Sequence, residues 1–242
     1  AALLDATPKD AIITILPGWR IEEVAANVAA SGMPVREEQF LAAAQAPTQE
    51  HLALLQVTEV NTLEGFLYPW TYVLPRASSL DDLLVMILTE FSGHVDASLM
   101  DGFERQGLSM VEAVILASIV EREAVVSEEK PLIASVFFNR LKAGMRLETD
   151  PTVQYALGFD EATNSWWKSP LYLNDLNIDS PYNTYLHNGL PPGPISNPDL
   201  DALRSVAFPA TTPYYYFRAD CDGSGRHNFA ITFEEHLNNS CE

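Results

Sequence analysis

The 242-residue sequence predicts an α+β protein of two lobes, and three observations predict it. Apolar runs of strand length lie near both ends, at 11–16 and again at 213–219 and 227–233. Apolar residues at helical spacing fill the middle, over 80–91, 109–125 and 131–142. Between the first unit and the middle lies an aromatic, proline-rich segment, 61–76 (NTLEGFLYPWTYVLPR), which reads as a connection between lobes. The expected lobes are therefore about 8–75 and 78–242.

In chain order, AIITIL (11–16) reads as a strand and Pro17-Gly18 as a turn. Ile21, Val24, Ala25 and Val28 then share a helix face that Gly32 ends, and a short helix follows near 36–45. Leu83, Leu84, Ile87, Leu88 and Phe91 form the stripe of the helix over 80–91. Ser109 and Glu112 have the S-x-x-E spacing of a capping box at the head of the next helix, 109–125. Pro131 suits the first turn of a helix over 131–142 and Gly144 its exit, with Ile133, Val136, Phe137 and Leu141 on one face. Residues 145–198 are rich in Pro, Asn, Gly and Tyr with few regular signals, and so long an irregular stretch in a domain is usually functional. A short helix at 199–206, two strands joined across Asp222-Gly223-Ser224-Gly225 and a last helix containing His236 complete the chain.

The composition narrows the function. The formal net charge is −19 at pH 7, which argues against nucleic acid, whose binding rests on Lys and Arg neutralising phosphates. It leaves sugars open, because they are recognised by aromatic faces and hydrogen bonds. No run of about 18 apolar residues is present, so no membrane span is expected within this chain. The chain starts Ala-Ala-Leu-Leu without Met, and no leader is visible in it. Cys221 and Cys241 can pair if the compartment is oxidising. No Cys/His cluster has zinc spacing, so no metal is expected.

A helix turns about 100° per residue, which sets Glu121 beside Met110, Val114, Ala117 and Val125. Glu123 falls nearly opposite, near Glu112. A carboxyl group against apolar side chains loses hydration, and its pKa rises. It then keeps its proton at neutral pH, as a general acid for a glycosidic oxygen must. On this reading Glu121 is the candidate acid/base; a Glu on a helix is otherwise a solvated surface group or a partner for Arg.

Four blocks of the sequence resemble the MltG (YceG-like) family. They are ILASIVEREA (115–124), SVFFNRLKAGMRLETDPTVQYALG (135–158), PYNTYLHNGLPPGPI (181–195) and the aromatic-rich segment ending in H-x-F (213–229). The stretch from ILPGWRIEEVA to EGFLYP resembles the family's LysM-like lobe and its junction. The blocks occur in order over about 12–237.

The resemblance implies an endolytic lytic transglycosylase that cleaves the β-1,4 bond between N-acetylmuramic acid and N-acetylglucosamine, leaving 1,6-anhydro ends and needing no cofactor. It implies Glu121 as the catalytic acid. In that chemistry the carboxyl group protonates the leaving oxygen and then takes the proton of the sugar's own C6 hydroxyl as it closes on C1. Such tethered attack can lower a barrier by about 7–11 kcal/mol. Substrate contacts are expected from Asn139, Glu148, Asp150, Gln154, Tyr182, Asn183, Tyr185 and His227, with Gly189–Gly193 a rigid groove loop. Glu148 stands where the family often has Gln, and Trp70 where it often has Asp. The resemblance also implies an extracytoplasmic protein on an N-terminal membrane anchor absent from this chain, with peptidoglycan strands and the cell-wall synthesis machinery as partners.

Three other readings compete. A non-catalytic peptidoglycan-binding module would use the LysM-like lobe alone. A pyridoxal-phosphate lyase would need a Schiff-base lysine and a phosphate cup; the lysines are Lys9, Lys130, Lys142 and Lys168, and no Gly-rich loop accompanies them. A hydrolase would leave a reducing sugar instead of an anhydro ring.

Overall fold

The computed structural model describes residues 9–241 and is an α+β fold. Strand β1 (Asp10–Thr14) pairs antiparallel with β2 (Thr71–Pro75), Ile12 opposite Val73. The strands alternate as a half-buried ribbon must: Ala11, Ile13, Tyr72 and Leu74 face inward, while Ile12 and Val73 face out. Between them lie α1 (Ile21–Ala30), α2 (Glu37–Ala44) and α3 (Gln49–Leu55). Segment 61–76 is thus more than a connection. It supplies β2, and its Leu63, Phe66 and Leu67 are fully buried.

Helices α4 (Leu80–His94) and α5 (Ala97–Arg105) follow, then α6 (Met110–Glu123), α7 (Lys130–Lys142), α8 (Asp150–Leu157) and α9 (Leu200–Ala207). All five residues of the expected α4 stripe are buried. Ser109 Oγ accepts from Glu112 N at 3.3 Å and Glu112 Oε2 accepts from Ser109 N at 2.8 Å, closing the capping box at the head of α6. Every residue of α6 from Ala113 to Val120 is buried, so this helix runs through the core rather than along its surface. Strands β3 (Tyr216–Ala219) and β4 (His227–Ala230) form a hairpin followed by α10 (Phe233–Asn238). The Cys221–Cys241 disulfide ties the hairpin turn to the chain beyond α10. One apolar core runs from Ala11 to Ala207. Among the described residues no single helix is long and apolar enough to cross a membrane.

A polar knot joins the early and late parts of the chain. Asn197 is fully buried; its Oδ1 accepts from Gly65 N and Leu67 N, both at 2.9 Å, and its Nδ2 donates to Trp19 O at 3.0 Å and Glu64 Oε1 at 3.2 Å. Glu64 in turn accepts from Ile21 N, the first residue of α1. Burial pushes the Glu64 carboxyl up to about 8. Asn197→Ala strands two buried amide donors, at about 1.5 kcal/mol each within the usual range of about 1–3 kcal/mol. Thermal melts of that variant should fall by about 6–12 °C, at roughly 2–4 °C per kcal/mol for a chain of this size.

Candidate active site

Three consecutive side chains leave the last turn of α6 in three directions. Glu121 turns into the protein. Its Oε2 accepts from Lys130 Nζ at 2.9 Å and from Asp199 N at 3.1 Å, and Lys130 Nζ also donates to Asp199 Oδ1 at 2.8 Å. Lys130 opens α7, and Asp199 caps α9 through Ala202 N at 2.7 Å. Burial and the Asp199 charge push Glu121 up to about 7, against the pull of Lys130. Lys130 rises and Asp199 falls, as an ammonium clamped by carboxylates and its counter-ion should. Arg122 lies over the Trp167 ring, 3.7 Å from its centroid, and Nη1 donates to Gly18 O at 3.4 Å. Together with Arg20, whose guanidinium lies over Tyr155 and Trp166, it anchors the loop after α8.

Glu123 points elsewhere. It lines a cavity of about 470 Å³ between α6, α7, the start of α8, the 185 region and the β3–β4 hairpin. Arg140, Glu148, Asp150, Tyr185, Tyr216 and His227 line it too. Burial first, then the Asp150 carboxylate, push Glu123 up to about 8, while Arg140 and Arg122 pull it down. Asp150 accepts from Tyr185 Oη at 2.7 Å, and burial together with that bond pushes the Tyr185 phenol up. Arg140 is fixed by its backbone acceptors, with Nε donating to Tyr215 O at 2.7 Å and Nη1 to Leu147 O at 2.7 Å. The cavity therefore holds one carboxyl group that keeps its proton near neutrality beside one, Asp150, engaged by a phenol. Separate environments for two acids are what proton transfer to a sugar bridge requires.

The whole chain, residues 1–242, matches the YceG-like family. This chain belongs to that family. It is 37% identical over 177 residues to the endolytic murein transglycosylase of Bacillus subtilis (strain 168), covering 73% of this chain and 46% of that protein. It is 30% identical over 251 aligned positions to the endolytic murein transglycosylase of Streptococcus pneumoniae serotype 2 (strain D39), covering 97% of this chain and 45% of that protein. The chain thus spans just under half the length of the curated relatives it matches. The crystal structure of a yceG-like protein, lmo1499, from Listeria monocytogenes superposes with a TM-score of 0.81 at 33% identity, covering 94% of this chain and 75% of that one.

In this YceG-like chain the residues expected from the sequence separate into two groups. Glu148, Asp150, Tyr185 and His227 line the cavity with Glu123. The others lie outside that cavity. Asn139 Nδ2 donates to Thr212 O and Tyr214 O, fastening α7 to the strand that leads into β3. Gln154 Nε2 donates to Lys168 O. Asn183 is fully buried and donates to Leu176 O and Ile178 O. Tyr182 packs on Tyr155 at 4.8 Å and lines a second cavity with Gly193 and Pro194. Glu121 is not among the residues that line the cavity of Glu123; its carboxyl is occupied by Lys130 and Asp199. Glu148 is held near Arg140 and Arg146. Lys130 and Lys168 are both ion-paired, Lys168 with Asp175 at 2.7 Å, which leaves neither as a free Schiff-base amine.

Sequence reasoning missed Glu123, Arg140, Tyr216 and His236 as cavity residues. A helical wheel ranks faces by their own residues, and α6 is apolar all round, so the wheel could not say which face meets a cavity.

The raised acid has a cost in stability. The unfolded chain releases the Glu123 proton near 4.5 and the folded chain near 8, so stability falls as pH rises through that window. Glu64 and Glu121 share this sign. Glu123→Gln removes its part, and its melts should lie above those of the parent at pH 8 and meet them near pH 4.

Proposed function

We propose that this chain carries the catalytic activity of an endolytic lytic transglycosylase acting on peptidoglycan, with Glu123 as the proton donor. The observation that carries the proposal is a carboxyl group pushed up to about 8 in the wall of an open cavity that also presents Asp150, Tyr185, Tyr216 and His227. The names of the Bacillus and Streptococcus relatives support the substrate class. Glu123 would protonate the bridging oxygen as the C1–O bond of the muramyl residue breaks. The C6 hydroxyl of that residue would close on C1 and give the 1,6-anhydro ring. Tyr216 and Tyr185 offer faces and a hydroxyl to the sugars, and Asp150 places a negative charge where positive charge builds at C1. Glu121, the acid expected from the wheel, would instead be a strut fixing the end of α6 to α7 and α9.

The unit β1–α1–α2–α3–β2 would be the LysM-like lobe; its support is the antiparallel β1–β2 pair closed over the helices. The cell-wall side of the membrane suits both the substrate and the disulfide. An N-terminal anchor and work alongside the cell-wall synthesis machinery belong to the same reading.

Digestion of purified sacculi tests the proposal. The expected products carry internal cuts with 1,6-anhydro ends, one water lighter than reducing ends. Reducing ends would make the chain a hydrolase, and binding without any cut would make it a glycan-binding module. The rate should also fall about tenfold per pH unit above pH 8, where Glu123 loses its proton.

A further inference from the structure

His227, in the cavity wall, is paired from behind with Glu129. Glu129 ends the short turn Ser127–Glu129 between α6 and α7, and it is nearly buried. Its carboxylate receives the main-chain N–H of His227 at 3.1 Å and the ring Nδ1 of the same residue at 2.8 Å. The two side chains are only 7% and 8% exposed. A carboxylate can only accept, so Nδ1 carries the hydrogen of this bond. The other ring nitrogen, Nε2, makes no hydrogen bond among the described residues and stays open at the cavity wall. Phe217 packs edge-on against the imidazole at 5.4 Å, which fixes the ring plane.

We infer that Glu129 is a positioning residue for His227, and that His227 Nε2 is the base that takes the C6 hydroxyl proton when the anhydro ring closes. This rests on the transglycosylase reading above and refines it. Glu123 gives its proton to the bridging oxygen as the C1–O bond breaks. The C6 oxygen bonds to C1, and its proton passes to His227 Nε2. The imidazolium so formed is stabilised by Glu129, and solvent returns His227 and Glu123 to their starting states. With two groups, both proton transfers take place in one step. A single carboxyl group would have to finish giving before it could take. A carboxylate behind an imidazole both fixes the tautomer and stabilises the charged form, the arrangement that makes histidine an effective base.

The charged and titratable groups around His227 are Glu129 and Arg226 beside it, Arg218 on the paired strand, His236 on α10, and Glu123, Arg140, Glu148 and Asp150 across the cavity. Arg226 Nη1 lies 4.0 Å from Glu129 Oε1 and shares that carboxylate.

The test compares kcat/KM against pH on soluble glycan strands for the parent chain, His227→Gln, Glu129→Gln and Glu129→Ala. The parent should lose rate on the alkaline side, where Glu123 gives up its proton. His227→Gln should lose about 10²-fold, with the loss in kcat rather than KM, while keeping the alkaline fall. Glu129→Gln, whose amide oxygen still accepts from Nδ1, should fall less than Glu129→Ala. A His227→Gln variant within threefold of the parent overturns the inference. A parent that yields no anhydro ends overturns the transglycosylase reading instead. Nitrogen-15 NMR of the parent needs no turnover and no folded variant. It should show neutral His227 in the Nδ1–H form, with Nε2 moved by added chitin tetrasaccharide. An Nε2–H tautomer, or no response to the sugar, counts against the pair.

Discussion

Glu123→Gln is expected to abolish the production of anhydro ends, while Glu121→Gln retains most of it. General acid catalysis contributes about 10²–10⁴-fold, and a Gln at the cavity wall has no proton to give the leaving oxygen. The loss should appear in kcat, because an isosteric amide leaves the cavity its shape and its Arg140, Tyr185 and Tyr216 walls. At Glu121 the amide oxygen can still accept from Lys130 Nζ and from Asp199 N, so the strut is weakened without being removed. High-performance separation of digested sacculi, with masses of the ends, reads both variants. An inactive Glu121→Gln beside an active Glu123→Gln would reverse the assignment.

Lys130→Met is expected to produce the largest loss of stability. Lys130 is buried, and its ammonium faces two carboxylates at 2.9 and 2.8 Å. Removing one partner of a buried ionic group leaves uncompensated charge and costs about 3–5 kcal/mol. Thermal melts should fall by about 6–20 °C, at roughly 2–4 °C per kcal/mol. The double variant Lys130→Met with Glu121→Gln should recover part of that loss, since it removes one of the two stranded charges. An unchanged melt for Lys130→Met would show that the cluster is solvated and holds nothing in place.

Much of the fold was legible in the sequence. Helices α4, α6 and α7 followed from apolar spacing, the Ser109–Glu112 box and the Pro131 and Gly144 boundaries, all of which are local signals. The β3–β4 hairpin followed from its glycine-bearing turn. Strand β2 was hidden, because its partner β1 lies some sixty residues earlier and a two-stranded ribbon has no local mark of its pairing. Helix α8 was hidden as well, at eight residues long and opening on Asp150-Pro151, which reads equally as a turn.

The site was legible in outline only. Motif blocks brought Glu148, Asp150, Tyr185 and His227 to notice, and these four share the cavity with Glu123. Asn139, Gln154 and Asn183 sit in the same blocks but bond to backbone carbonyls, a role that residue type cannot distinguish from sugar binding. The choice between Glu121 and Glu123 depends on Lys130, Asp199, Arg140 and Asp150, which come from α7, α8 and the head of α9. Each lies on an element whose placement a wheel drawn on α6 does not contain.

The most direct measurement is a carbon-13 titration of the Glu123 side-chain carboxyl in the folded parent chain, assigned by its absence from Glu123→Gln. The expected midpoint is about 8, so that the group is still protonated at neutral pH. A midpoint near the ordinary 4.5 would leave Glu123 ionised at neutral pH and without a proton to donate, contradicting its role as the acid.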